Sequence, residues 1–85
     1  MRIGLVVNVE SIKGIKIGRT VMKFLDGRKA EVVLEEKSAR ALGLKGLPLE
    51  KMNADVMITI GGDGTILRTL QRTRSRILGI NVGVL

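Results

Sequence analysis

Cysteine, histidine, tryptophan and tyrosine are all missing from this 85-residue chain, which holds one phenylalanine, Phe24, and one proline, Pro48. Without cysteine there are no disulfides or thiolate metal sites, and without histidine there is no imidazole ligand or histidine general base. Acid–base chemistry therefore falls to carboxylates or lysine. One aromatic ring cannot build the stacking platforms of single-strand nucleic-acid binders. No apolar run reaches the length of a membrane span, and residues 3–7, interrupted by Gly4, are too short for a signal-peptide core. A cytoplasmic protein with no membrane partner is expected. Amides are also scarce, with three Asn and one Gln beside 15 Lys and Arg, a balance found in thermophile proteins.

The apolar fraction of 45% is that of a globular chain, and the length suffices for one small domain. A net charge of +7 admits duplex nucleic acid, a solvated basic surface, or a pocket for anionic nucleotides. Arg68, Arg72, Arg74 and Arg76 follow directly behind a glycine-rich stretch, which favours the pocket and disfavours a nucleic-acid partner.

That stretch is Gly61-Gly62-Asp63-Gly64-Thr65. It follows an apolar strand-like run over residues 55–60 and leads into a helical pattern over residues 66–72. A glycine-rich turn between strand and helix points unpaired N–H groups outward at the positive end of the helix dipole, where a phosphate can collect them. A Cβ at Gly61, Gly62 or Gly64 would crowd such a ligand or forbid a positive φ. Asp63 beside phosphates is repulsive unless a metal ion bridges them or the carboxylate has a chemical task. The competing reading makes Asp63 and Thr65 helix caps and the glycines an ordinary turn.

Taken in order, residues 2–9 read as a strand buried on both faces, with Asn8 at its carboxyl end as either a ligand position or an Asx turn. Residues 11–14 read as loop, and residues 15–26 as an amphipathic helix ending at Gly27 in a left-handed cap. A short strand near a sheet edge is expected over residues 30–35, a turn or two of helix over 38–42, and loop from 44 to 49. After the central strand, Ile66, Leu67 and Leu70 should face the core, while Thr65, Arg68 and Arg72 share the polar side. Arg68 can reach back toward the turn. Residues 77–82 make a fourth strand. The fold class is α/β: a Rossmann-like, three-layer, open and mainly parallel sheet of about four strands, with the site at its edge.

Gly61-Gly62-Asp63-Gly64-Thr65, with Ile66-Leu67-Arg68 and the later Gly79-Ile80-Asn81-Val82-Gly83-Val84-Leu85, resembles the amino-terminal part of NAD kinase, of the archaeal or thermophilic type. The Gly-Gly-Asp-Gly core is shared with diacylglycerol and sphingosine kinases and with phosphofructokinases. The flanking Leu67-Arg68 and Gly79-Ile80-Asn81 are similar to the NAD kinase pattern.

The resemblance implies phosphorylation of the adenosine ribose 2′-hydroxyl of NAD to give NADP. ATP or polyphosphate would be the donor and a divalent metal, magnesium or manganese, a cofactor. It assigns Asp63 as proton acceptor, with a metal role as the alternative. It places Asp63, Gly64 and Arg68 at the nucleotide, and Gly62 and Thr65 of the turn and Asn81 are further candidate positions. It also implies a homo-oligomer at full length and a carboxy-terminal β-rich domain, containing an Asn-Glu pair, that these residues lack. The 85 residues are therefore expected to be a single truncated nucleotide-binding domain, inactive alone. The alternatives are a non-catalytic nucleotide-binding fragment or a lipid kinase or phosphofructokinase relative.

Overall fold

The structure, a computed structural model, describes residues 1–82, so Gly83, Val84 and Leu85 of the motif above lie outside the described residues. Four strands, β1 (Arg2–Val7), β2 (Glu31–Leu34), β3 (Val56–Gly61) and β4 (Arg76–Asn81), form one sheet in the order β2-β1-β3-β4. Every pairing is parallel. The two central strands are those with near-continuous apolar runs, because both of their faces are covered. The short run Val32-Val33-Leu34 stands at one edge, as expected.

Three helices, α1 (Ile12–Leu25), α2 (Glu36–Ala41) and α3 (Asp63–Leu70), and a 3₁₀ turn, Leu49–Lys51, fill the connections. Alternation along the strands divides the core in two. Leu5, Val7, Ile58 and Ile60 form one side with Ile15, Val21 and Met22 of α1 packed against them. Val6 and Met57 face the other side, beneath Leu49, Met52 and Ala54. Gly18 lets α1 approach this closely: a Cβ there would lie 3.0 Å from a Val7 methyl carbon. Ile66 of α3 lies over Gly79, on the side opposite α1. Helices on both faces of the sheet are what a doubly wound order demands when its two halves turn the same way from the centre. No helix among the described residues is long and apolar enough to cross a membrane.

Several boundaries differ from the sequence reading, each for a local reason. Helix α1 begins at Ile12, not at residue 15, because Ser11 caps it by accepting the Gly14 N–H at 2.9 Å. Helix α2 begins at Glu36, not at residue 38, because Glu35, expected as the last strand residue, is its N-cap. The expected loop over residues 44–49 runs into the 3₁₀ turn. Helix α3 begins at Asp63, within the glycine-rich stretch. Its inward face also differs: Thr65 and Thr69 are buried, whereas Leu67 and Leu70 are each 57% exposed. The Thr69 hydroxyl donates to the Thr65 carbonyl at 2.8 Å, which satisfies it within the helix and lets a polar residue face inward. Gly27 is left-handed, with φ of 79°, as the cap reading required.

Candidate nucleotide-binding site

The chain leaves β1 toward one edge of the sheet and leaves β3 toward the other, so a crevice opens where the carboxyl ends of these neighbours diverge. A cleft of about 380 Å³ lies there, bounded by Asn8 and Glu10 after β1, Lys37 of α2, and Gly62, Gly64, Thr65 and Arg68. A larger hollow of about 760 Å³ opens between Asn53 and the segment carrying Arg74 and Arg76. It lies at the amino ends of β3 and β4, away from the switch point, and is a surface concavity.

The glycine-rich turn forms one wall of the cleft. Gly62 is the N-cap of α3, in an extended conformation, and has no side chain with which to cap the first turn. Its carbonyl accepts from the N–H groups of Thr65 and Ile66. The N–H groups of Asp63 and Gly64 belong to the first turn, which has no intrahelical acceptor. The three glycines of the motif serve different ends. Positive φ is not the reason for any of them, since only Gly27 and Gly43 among the described glycines have it. A Cβ on Gly61 would stand 2.5 Å from the Thr65 hydroxyl oxygen, so that position is closed by the protein itself. Gly62 and Gly64 face open space, where a ligand can approach the backbone.

Arg68, half-exposed, borders the cleft with its guanidinium Nη1 3.7 Å from Glu35 Oε2. Glu35 is buried. Its Oε1 accepts from the N–H and the hydroxyl of Ser38, at 3.1 and 2.7 Å, and its Oε2 accepts from the Lys37 N–H at 3.0 Å. Burial alone would raise its pKa, but the Ser38 hydroxyl, the two N–H donors and the Arg68 charge outweigh it and hold the carboxyl below its ordinary value. Sequence reasoning passed over Glu35 because it continues the strand-like run. Its signal was the pair Glu35 and Ser38, an N-cap acceptor with a hydrogen-bonding residue at the third helical position.

Gly62, Gly64, Thr65 and Arg68 are thus brought together. Asp63 is exposed at the first helical position and borders a separate, shallow apolar hollow with Gly64, Ile66, Leu67 and Leu70. It is not the helix cap; Gly62 is. Thr65, expected on the polar side of α3, is buried. Asn81 pairs in register with Gly61 at the end of β4 and does not border the cleft. The expected crowd of four arginines behind the turn reduces to Arg68. Helix α3 extends about 12 Å, at about 1.5 Å per residue, and carries Arg72 to an ion pair with Glu50 at 3.4 Å and Arg74 and Arg76 to the opposite end of the sheet. Asn8 does make the Asx turn, accepting the Glu10 N–H at 3.1 Å, while also lining the cleft. Among the described residues no three carboxylates gather as a metal shell.

Residues 3–85 match the family described as the ATP-NAD kinase N-terminal domain. The chain is 39% identical over 83 residues to an NAD kinase of Thermoplasma acidophilum, covering 98% of this chain and 30% of that protein. It is 41% identical over 83 residues to an NAD kinase of Picrophilus torridus, with the same coverage. Against an NAD kinase of Thermococcus kodakarensis it is 38% identical over 91 residues, covering all of this chain and 33% of the relative. The chain thus spans about a third of the length of the curated relatives it matches. With its four-stranded parallel sheet and a family match over nearly its whole length, the chain belongs to the ATP-NAD kinase N-terminal domain family.

Proposed function

We propose that this chain supplies the nucleotide-binding amino-terminal part of an NAD kinase, which transfers a phosphoryl group from ATP or polyphosphate to the adenosine ribose 2′-hydroxyl of NAD. The observation that carries this reading is the switch-point cleft, where Gly62 and Gly64 open the backbone to a ligand beside the Arg68 guanidinium. Phosphoryl transfer asks the protein mainly for positioning and charge stabilisation. The glycine turn and the start of α3 provide N–H donors for a nucleotide, and Arg68 provides a forked one.

Asp63 is the proton acceptor in this reading. As the 2′-oxygen bonds to the transferred phosphorus, the bond from that phosphorus to the donor's bridging oxygen breaks, and the hydroxyl proton passes to the Asp63 carboxylate. A ribose hydroxyl is too weak an acid to lose its proton earlier. A divalent ion, magnesium or manganese, would offset the negative charge of the donor phosphates. The described residues do not by themselves fit a protein-bound ion, since no three carboxylates gather. The basic surface serves nucleotide phosphates rather than nucleic acid.

The test is conversion of NAD to NADP by the full-length protein with magnesium and either ATP or polyphosphate. NADP formation with one of these donors is expected. NAD binding without turnover would leave a nucleotide-binding part without catalysis, and turnover only on a lipid or sugar-phosphate alcohol would move the protein to the relatives that share the Gly-Gly-Asp-Gly turn.

A further inference from the structure

Glu35 does more than a helix cap requires. One acceptor suffices to cap α2, and serine or aspartate would provide it with less charge or bulk to desolvate. Here a 3% exposed glutamate is spread over four groups on two elements: the N–H groups of Lys37 and Ser38 and the Ser38 hydroxyl on α2, and the Arg68 guanidinium on α3. A buried carboxylate persists only when it is paired and hydrogen-bonded, and Arg68 supplies the countercharge. Ser38 in turn binds the end of β1, with its hydroxyl oxygen accepting the Val7 N–H at 2.8 Å. The carboxylate is therefore fixed to the strand whose carboxyl end borders the cleft, and the arginine is held against a fixed point. One edge of the guanidinium meets Glu35, and the other N–H groups of the fork have no partner among the described residues.

We propose that Glu35 is a positioning residue for the nucleotide site, holding the Arg68 guanidinium at the mouth of the switch-point cleft so that it meets the nucleotide already ordered. The proposal rests on reading that cleft as the nucleotide site. An arginine loses much side-chain freedom when a ligand immobilises it, and a buried carboxylate that orders it beforehand removes that cost from binding.

The experiment is a double-mutant cycle in the full-length protein: calorimetric NAD affinity, with magnesium present, for the wild type, Glu35→Gln, Arg68→Ala and the double variant. Glu35→Gln keeps an oxygen acceptor for the cap but loses the charge that holds Arg68. It is expected to weaken NAD binding roughly tenfold with Arg68 present and less than about twofold in the Arg68→Ala background. Equal factors in the two backgrounds would make Glu35 a structural residue and overturn the proposal. So would an Arg68→Ala loss that Glu35→Gln does not share. An Arg68→Ala variant with unchanged NAD affinity would instead remove the site reading beneath it. If Glu35→Gln does not fold, Glu35→Asp, which keeps the charge but shortens the reach to Arg68, passes through the same cycle with the same criterion. Ser38→Ala removes one of the bonds that fix the carboxylate: it should lower the melting temperature and weaken NAD binding while Arg68 is present, and an equal loss in the Arg68→Ala background would count against the proposal.

Discussion

Asp63 occupies the first position of α3, and Gly62 and Gly64 leave room on either side for a sugar. Asp63→Asn preserves size and polarity while removing charge and basicity. It should lower kcat by about 10² to 10⁴-fold, with far less effect on NAD affinity, in steady-state assays at saturating magnesium and substrates. A folded Asn variant with near-normal kcat would take Asp63 out of the chemistry. Two glycines of the same turn make an opposed pair of tests. Gly61→Ala drives a methyl group into the Thr65 hydroxyl and should cost about 1 to 3 kcal/mol in denaturant unfolding. Gly64→Ala meets nothing and lies inside a helix, so it should be neutral or stabilising by up to about 1 kcal/mol. If the cleft takes a nucleotide at the backbone, the same Gly64→Ala protein binds NAD more weakly despite its stability. Unchanged affinity would mean that the ligand does not approach there.

At the scale of elements, the strands were legible because burial on both faces writes itself as unbroken apolar runs, as in Val56–Gly61. Helix starts were not, because they depend on single side-chain bonds. Ser11-Ile12-Lys13-Gly14 reads as loop by composition, yet the Ser11 cap opens α1 there, and Ser11→Ala should cost about 1 kcal/mol in thermal unfolding. The inward face of α3 was misread because periodicity credits Leu67 and Leu70 with burial. A threonine that bonds back to its own helix can take the inner side instead, and the apolar pair remains exposed. Of the site, the glycine turn and Arg68 were visible in sequence. The buried partner of Arg68 was not, because Glu35 and Arg68 are joined only by folding. The cap of α2 carries a pH signature as well. The folded pKa of Glu35 lies below its unfolded value, so its stabilisation is complete above the ordinary glutamate value and is lost as the pH falls through the lower folded value. Chemical denaturation of wild type and Glu35→Gln across acid pH should therefore show the stability gap closing toward low pH. A constant gap would mean that the Glu35 charge is not coupled to folding.

For the whole molecule, the doubly wound sheet gathers β1, α2 and the β3–α3 turn at one end, and so assembles a crevice from segments far apart in sequence. What it gathers is an open crevice. Asp63 borders a shallow hollow whose other walls are Ile66, Leu67 and Leu70, and Leu67 and Leu70 are largely exposed. Transfer of a phosphoryl group to an alcohol rather than to water requires that both substrates be held in line and bulk water be kept away from the reacting atoms. An open crevice and an exposed carboxylate can bind a nucleotide but do neither of these well. The 85-residue chain alone should therefore show no appreciable NAD phosphorylation with ATP and magnesium. It should still give the circular-dichroism spectrum of a folded α/β domain, because its two cores lie within the described residues. The assay decides between a part and a whole. Turnover near that of an ordinary kinase, about 1 s⁻¹ or more, would mean that the walls already present suffice, and that the Asp63 side of α3 closes over its substrate in a way the open hollow does not display.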